Sequence, residues 1–312
     1  MADAVPSRLG QINGAGDARA LFLKVFANEI LSTFQETNVM MPLHRVKTIT
    51  SGKTAQFPAI GTIDADYHVP GEEISGGEIK HNERLIHIDS ALLASTFIAN
   101  IDEAMNHYDV RSDYSQKLAR ALSLRCDKNI LQTAVLAARA SATITGGQGG
   151  TELTDADYDT DGATLAGGIF DAAQNLDEND VPDMDDRYCV VKPAQYYNLV
   201  QTTNVINKDW DGKGSYADGK VLKVANVTLV KSNNLPQSVI ASNTGENNTY
   251  SGTFTNTYAS VFHTSAMGTV KLKDLTTDSD FQVNRRGTLM LAEYFMGHGI
   301  LRPEAAVELN VA

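Results

Sequence analysis

The sequence of 312 residues is short of cysteine, of basic charge and of long apolar runs, and each shortage removes a class of function. Only two cysteines occur, Cys126 and Cys189, on separate stretches. That usage fits a reduced intracellular protein better than a disulfide scaffold. Neither thiol has a partner at metal-ligand spacing, and the seven histidines contain no H-x-x-x-H pair, so no zinc site is expected. No stretch of eighteen apolar residues exists, so no membrane-spanning helix is expected. The opening residues, Met1-Ala2-Asp3-Ala4-Val5-Pro6, lack the basic and apolar pattern of a secretory signal. Basic residues number 26 against 38 acidic ones, a net charge of −12. A protein that reads DNA sequence is usually basic. An acidic wall can still enclose DNA without gripping it.

Proline and glycine are both missing from residues 111 to 145, and nothing local interrupts a helix there. Ser112 is placed to cap it, and Tyr114, Leu118, Ala121 or Leu122, Cys126, Ile130, Ala134, and Ala137 or Ala138 fall on one face at steps of three and four. Gln116, Arg120, Asp127 and Arg139 fall on the other face, toward water or another chain. The expected helix runs from Ser112 to about Ala142, roughly 45 Å at 1.5 Å per residue. It would be a spine on which smaller layers pack.

Before the spine, residues 1–15 read as a small, polar arm. Asp17 then opens an amphipathic helix with Leu21, Phe22, Val25, Phe26, Ile30, Leu31 and Phe34 on its apolar face. That face must dock, on its own domain or on a neighbouring subunit. Residues 51–61 and 84–89 read as the two arms of a long excursion. The stretch between them, from Ile63 to Asn82, is acidic and glycine-rich, with too few apolar residues for its own core. A two-stranded excursion of this kind is marginal alone and leans on something.

After the spine, Gly146-Gly147-Gln148-Gly149-Gly150 reads as a hinge. Residues 151–236 read as an α/β region: a helix near 163–178, a buried strand Arg187–Val191, a helix opened by Pro193 and a strand within 221–230. Residues 237–256 read as a solvent loop, and strands follow at 258–262, 268–272 and 288–295, expected to pack as one sheet on the spine.

The motifs with chemical potential are weak. Gly52-Lys53-Thr54 ends like a phosphate-binding loop, but Lys47 stands where that loop needs its first glycine. Asp157-Tyr158-Asp159-Thr160-Asp161-Gly162 matches the first half of a calcium loop, but Gly168 stands where the closing glutamate belongs. His107, beside Tyr108 and Asp109, reads as a hydrogen-bonded turn residue or a general base, and Gly297-His298-Gly299 reads as a tight turn. No catalytic, cofactor or metal residues are assigned. Composition and spacing favour a structural protein over an enzyme or a metal-dependent binding module.

Five blocks carry a more specific signal: Ala20–Phe26, Ser51–Pro58, Ala104–Ser112, Ser265–Leu275 and Met296–Ala306. In order and along most of the chain they resemble the major capsid protein of short-tailed bacteriophages of the podovirus, Autographiviridae type. Residues 143–180 and 237–256 do not share the likeness. The resemblance implies an α+β chain with the Hong Kong 97-type capsid fold: an N-arm (1–50), an extended E-loop (51–90), a P-domain with the spine helix (91–149), an A-domain (150–236), and a loop with P-domain return strands (237–312). It implies hexamers and pentamers in an icosahedral shell around double-stranded DNA, held without sequence-specific contacts. A scaffolding protein and a portal protein are the implied partners, with no membrane. The implied location is the virion, assembled in the host bacterial cytoplasm. Inter-subunit contacts are expected from Phe22, Phe26 and Phe34 in the N-arm and from Glu72, Glu73, Lys80 and Arg84 in the E-loop. Arg111, Arg302 and Glu304 are expected to pair, within or across subunits.

Overall fold

The computed structural model describes residues 39–63, 65, 67, 68, 70, 71, 73, 76–101, 111–182, 186–202, 214, 215, 220, 221 and 223–312. The helix expected from Asp17 and the segment 102–110, with His107, lie outside those residues. The strands in chain order are β1 (Arg45–Thr48), β2 (Thr54–Ile60), β3 (His81–His87), β4 (Leu92–Ala99), β5 (Thr151–Thr154), β6 (Arg187–Val191), β7 (Gly214–Ser215), β8 (Lys220–Val221), β9 (Lys223–Val224), β10 (Val227–Lys231), β11 (Val239–Ile240), β12 (Gly252–Thr253), β13 (Thr257–His263), β14 (Met267–Gln282), β15 (Gly287–Ile300) and β16 (Ala306–Asn310). The helices are α1 (Arg111–Ala138), α2 (Gly162–Glu178) and α3 (Pro193–Gln201). Among the described residues two compact units form. One holds Ser90–Cys126 and Lys273–Met296; the other holds Val39–Asp89, Asp127–Leu272 and Gly297–Ala312.

The larger unit is built on a six-stranded mixed sheet in the order β5-β16-β13-β6-β10-β9. Its centre is buried on both faces. Cys189, Val190 and Val191 of β6, Val261 and Phe262 of β13 and Val307 and Leu309 of β16 have no exposed surface. A strand covered on both faces needs a continuous apolar run rather than an alternating one, and Arg187–Val191 supplies it. Burial in this core pushes the Cys189 thiol up to about 12, so it packs as an inert apolar group. Helix α2 lays Leu165, Ile169, Ala172 and Leu176 into the core at helical spacing. The boundary expected at residue 236 falls between β10 and β13, which belong to this one sheet.

Several expectations are corrected here. The strand read within 221–230 is a hairpin, β9–β10, turning at Ala225 and Asn226 with φ of 49° and 60°. Two positive φ values in succession match the twist of the flanking strands. The terminal strands split between sheets: β13 and β16 join the six-stranded sheet, whereas β14 and β15 lie in a second sheet, β1-β14-β15-β4. Gly297-His298-Gly299 is not a turn but part of β15. Its glycines permit close approach: a Cβ on Gly297 would collide with the carbonyl of His87, and one on Gly299 would lie 2.8 Å from the Ile86 side chain. The stretch 237–256 is not simply a solvent loop. It contains the β11–β12 ladder, and Tyr250 and Phe254 are buried.

Helix α1 ends at Ala138, four residues before the expected Ala142. The glycine run folds back on that end rather than swinging free. The Gly150 N–H donates to the Ala140 carbonyl at 2.9 Å, and a Cβ there would collide with the carbonyls of Ala137 and Ala138. Asp127, expected on the water face of the spine, is fully buried. Its carboxylate accepts from the Val39 N–H at 2.8 Å and the Met40 N–H at 3.2 Å. Two backbone donors replace the water it loses, which satisfies a buried charge at a position that helical periodicity marks as polar. Arg139, on the same expected face, forms a bidentate pair with the buried Glu308 of β16 at 2.6 and 2.7 Å.

In the smaller unit β4 runs antiparallel to β15, from Ala99 opposite Gly287 to Leu92 opposite Tyr294. Gly287 is required by that pairing, because a Cβ would collide with the Ile98 carbonyl. Leu122 and Cys126 of the first half of α1 are buried, as expected of its apolar face.

Candidate assembly surfaces

Strands β2 and β3 form an antiparallel ladder from Thr54 opposite His87 to Ile60 opposite His81. The ladder is a sheet of its own. Pro58, which cannot donate to a ladder, is tolerated because a two-stranded arm has open edges. Near its base the arm buries Ala55 and Ile86. Further out it turns apolar side chains to solvent: Ile60, Ile63, Tyr67, Ile79 and Leu85 are all exposed, Tyr67 fully. Exposed large apolar side chains along a marginal two-stranded arm make it the candidate interaction surface.

A clasp of polar groups fixes the base of the arm. The Asn248 side chain pairs with the His87 backbone in both directions, accepting from its N–H at 3.1 Å and donating to its carbonyl at 2.7 Å. Asn247 donates from its side chain to the Ile88 carbonyl at 2.6 Å. The Asp89 carboxylate accepts from the backbone N–H groups of Asn247 and Asn248 at 2.8 and 3.2 Å, and from the Tyr250 hydroxyl at 2.6 Å. Burial holds the Asp89 carboxyl above its usual pKa, and these hydrogen bonds offset part of the rise. Burial and the Asp89 charge push the Tyr250 phenol up, so it stays a donor.

Behind the clasp lies a buried chain of imidazoles. His44 Nδ1 is 2.7 Å from the Met40 carbonyl, which can only accept, so that nitrogen carries the hydrogen. His44 Nε2 then accepts from the Thr269 hydroxyl at 2.6 Å, and Thr269 Oγ1 accepts from His298 Nδ1 at 2.7 Å. Burial depresses both imidazoles, His298 to about 3, and the Met40 hydrogen bond offsets part of the shift at His44. The His298 backbone N–H donates to the Tyr250 hydroxyl oxygen at 2.9 Å and so joins this chain to the clasp.

The residues singled out from the sequence lie apart. Phe22, Phe26, Phe34 and Glu72 are outside the described residues, and only the backbone of Arg111 is described. Glu73 and Lys80 are exposed on the arm. Arg84 is half-buried and turns inward, donating to Thr143 Oγ1 at 3.0 Å and to the Ser141 carbonyl at 3.4 Å. Arg302 is exposed and Glu304 half-buried, and no ion pair joins them among the described residues. The acidic loop at 157–162 serves α2: Asp161 caps it, accepting from the N–H groups of Ala163 and Thr164 at 3.1 Å. The clasp and the imidazole chain were missed, since their partners are far apart in sequence.

A family model described as Gp10A-like major capsid protein matches residues 56–310. The chain belongs to this family. It is 33% identical over 323 residues to the major capsid protein of Enterobacteria phage T3, covering 95% of this chain and 93% of that one. It is also similar to a chain of the capsid structure of the cyanophage P-SCSP1u, at 44% identity and a TM-score of 0.86, covering 100% of this chain and 99% of that one. The bacteriophage PhiM1 mature capsid shares the fold at 18% identity and a TM-score of 0.79, with 96% and 95% covered. The fold of this capsid-family member is therefore the Hong Kong 97-type α+β fold. The arm's strands lie within the stretch 51–90, and β5, β6, β9 and β10 of the six-stranded sheet come from the stretch 150–236.

Proposed function

We propose that this chain is the shell-forming subunit of a tailed-phage virion, a structural protein and not an enzyme. It assembles as hexamers and pentamers into an icosahedral shell around double-stranded DNA. The observation that carries this reading, beyond family membership, is the β2–β3 arm: Ile60, Ile63, Tyr67, Ile79 and Leu85 face outward on an element its own chain leaves open. Fully burying such a side chain stabilises by about 1.5–3 kcal/mol, and symmetry repeats the gain at each contact. The arm acts as the E-loop and lies on a neighbouring copy, with Glu73 and Lys80 at the contact's polar rim. Arg84 steadies the arm from within its own chain. Phe22, Phe26 and Phe34 of the N-arm, Glu72, Arg111, Arg302 and Glu304 are further contact candidates. Assembly takes place in the host cytoplasm with a scaffolding protein and a portal protein. The net charge of −12 suits a wall that holds DNA without gripping its sequence.

Electron microscopy of the chain co-expressed with its scaffolding protein tests the reading. Closed shells of uniform diameter are expected. Small soluble oligomers beside a folded scaffold would contradict it.

A further inference from the structure

The imidazole chain and the clasp are one continuous path. It starts where Val39 and Met40 donate to Asp127 of α1. It passes from the Met40 carbonyl through His44, Thr269 and His298 to Tyr250 and Asp89, and ends at His87, where Asn248 grips the base of the arm. All its members lie in the larger unit. The path has a fixed polarity. The Met40 carbonyl forces the hydrogen of His44 onto Nδ1, which leaves Nε2 as an acceptor. The Thr269 hydroxyl must therefore donate to His44 and accept from His298. Turning that hydroxyl round would leave His44 Nε2 and His298 Nδ1 without their shared partner in a buried site, which costs each its desolvation. Thr269 thus bonds both imidazoles, with a single satisfied orientation between them.

We propose that Thr269 is a positioning residue that couples the chain's entry into the larger unit, at Val39 and Met40, to the base of the β2–β3 arm at His87–Asp89. A disturbance at either end shifts His44 or His298, which carry the connection through their own backbone, and loosens the other end, as expected of a buried polar network. This goes beyond the shell-forming role and needs only the geometry within the larger unit. It stands or falls whether or not the arm touches a neighbour.

Hydrogen exchange on the purified full-length chain tests it, with the amides of β6 and β13 as an internal reference for overall stability. Thr269→Val keeps the side-chain shape and removes both hydrogen bonds. It should raise exchange tenfold or more, relative to the reference, at residues 40–44 and also at 87–89 and 247–250. Thr269→Ser restores the hydroxyl and should return both ends to native protection. Tyr250→Phe cuts the path at the arm end only, and should still raise exchange at residues 40–44 by about threefold. It decides the matter if Thr269→Val does not fold. Changes confined to the neighbours of each substitution, or changes at both ends that only match the reference amides, would overturn the coupling.

Discussion

The six-stranded sheet and the β2–β3 arm are made from the same strand-forming residues, yet they sit in opposite situations. In the sheet, Cys189, Val261 and Val307 lie side by side with both faces covered. In the arm, Ile60 and Leu85 point to solvent on strands with open edges. The first is finished within one chain. The second carries apolar surface that its own strands leave exposed. On the proposed reading the difference separates two jobs: the sheet holds the subunit together, and the arm holds subunits to one another.

The largest effects should come from the finished region. Glu308→Ala leaves the Arg139 guanidinium without its buried partner and deprives the Thr257 hydroxyl of an acceptor. Losing these charge-assisted bonds to a partly exposed guanidinium costs about 2–3 kcal/mol, to be read by chemical denaturation of the unassembled subunit. Acid should act on the same unit through His298. Burial holds its pKa at about 3, against 6.5 for a free imidazole. Above pH 6.5 both folded and unfolded chains are neutral there, and the group makes no difference. As pH falls from about 6.5 toward 3, the unfolded chain takes the proton first, so stability drops, by at most about 5 kcal/mol. His298→Gln should flatten that pH dependence between 6.5 and 4. An unchanged slope would place the titration elsewhere.

The arm should respond in the opposite way. Ile60→Asp with Leu85→Asp should change subunit stability by about 1 kcal/mol or less, since both side chains are already exposed. Shell yield should fall at least tenfold. A large stability loss with normal shells would erase the contrast between the regions. Glu73→Lys on the arm should give the smallest effect, a shift in the salt dependence of assembly with stability within about 0.5 kcal/mol of native.

Much of the fold was legible because its signals are local. The run Arg187–Val191 announces a buried strand, residues 163–178 read as the helix that became α2, and Pro193 announces α3, whereas Asp161, read in a calcium-like loop, instead caps α2. The arm was legible as an excursion with no core of its own. The clasp was not. Asn247, Asn248 and Tyr250 sit in a polar stretch that looks like any solvent loop, and their partners His87, Ile88 and Asp89 lie about 160 residues away. Asp127 and His298 were misread for the same reason. Periodicity assigns a polar residue to water, and a glycine-flanked histidine to a turn. Only tertiary contacts show that the Met40 N–H and the Thr269 hydroxyl stand ready to satisfy them. Sequence exposes what a residue prefers, not which distant group meets that preference.

On the proposed reading the arm's apolar surface is open in the subunit and covered in the shell. Both native cysteines are buried, so Ile60→Cys would supply the one accessible thiol among the described residues. Its rate of maleimide labelling should be compared in the free subunit and in assembled shells. The account predicts fast labelling in the subunit and labelling at least tenfold slower in the shell. Equal rates would mean that the arm stays exposed after assembly, and the division of labour between arm and sheet would be wrong.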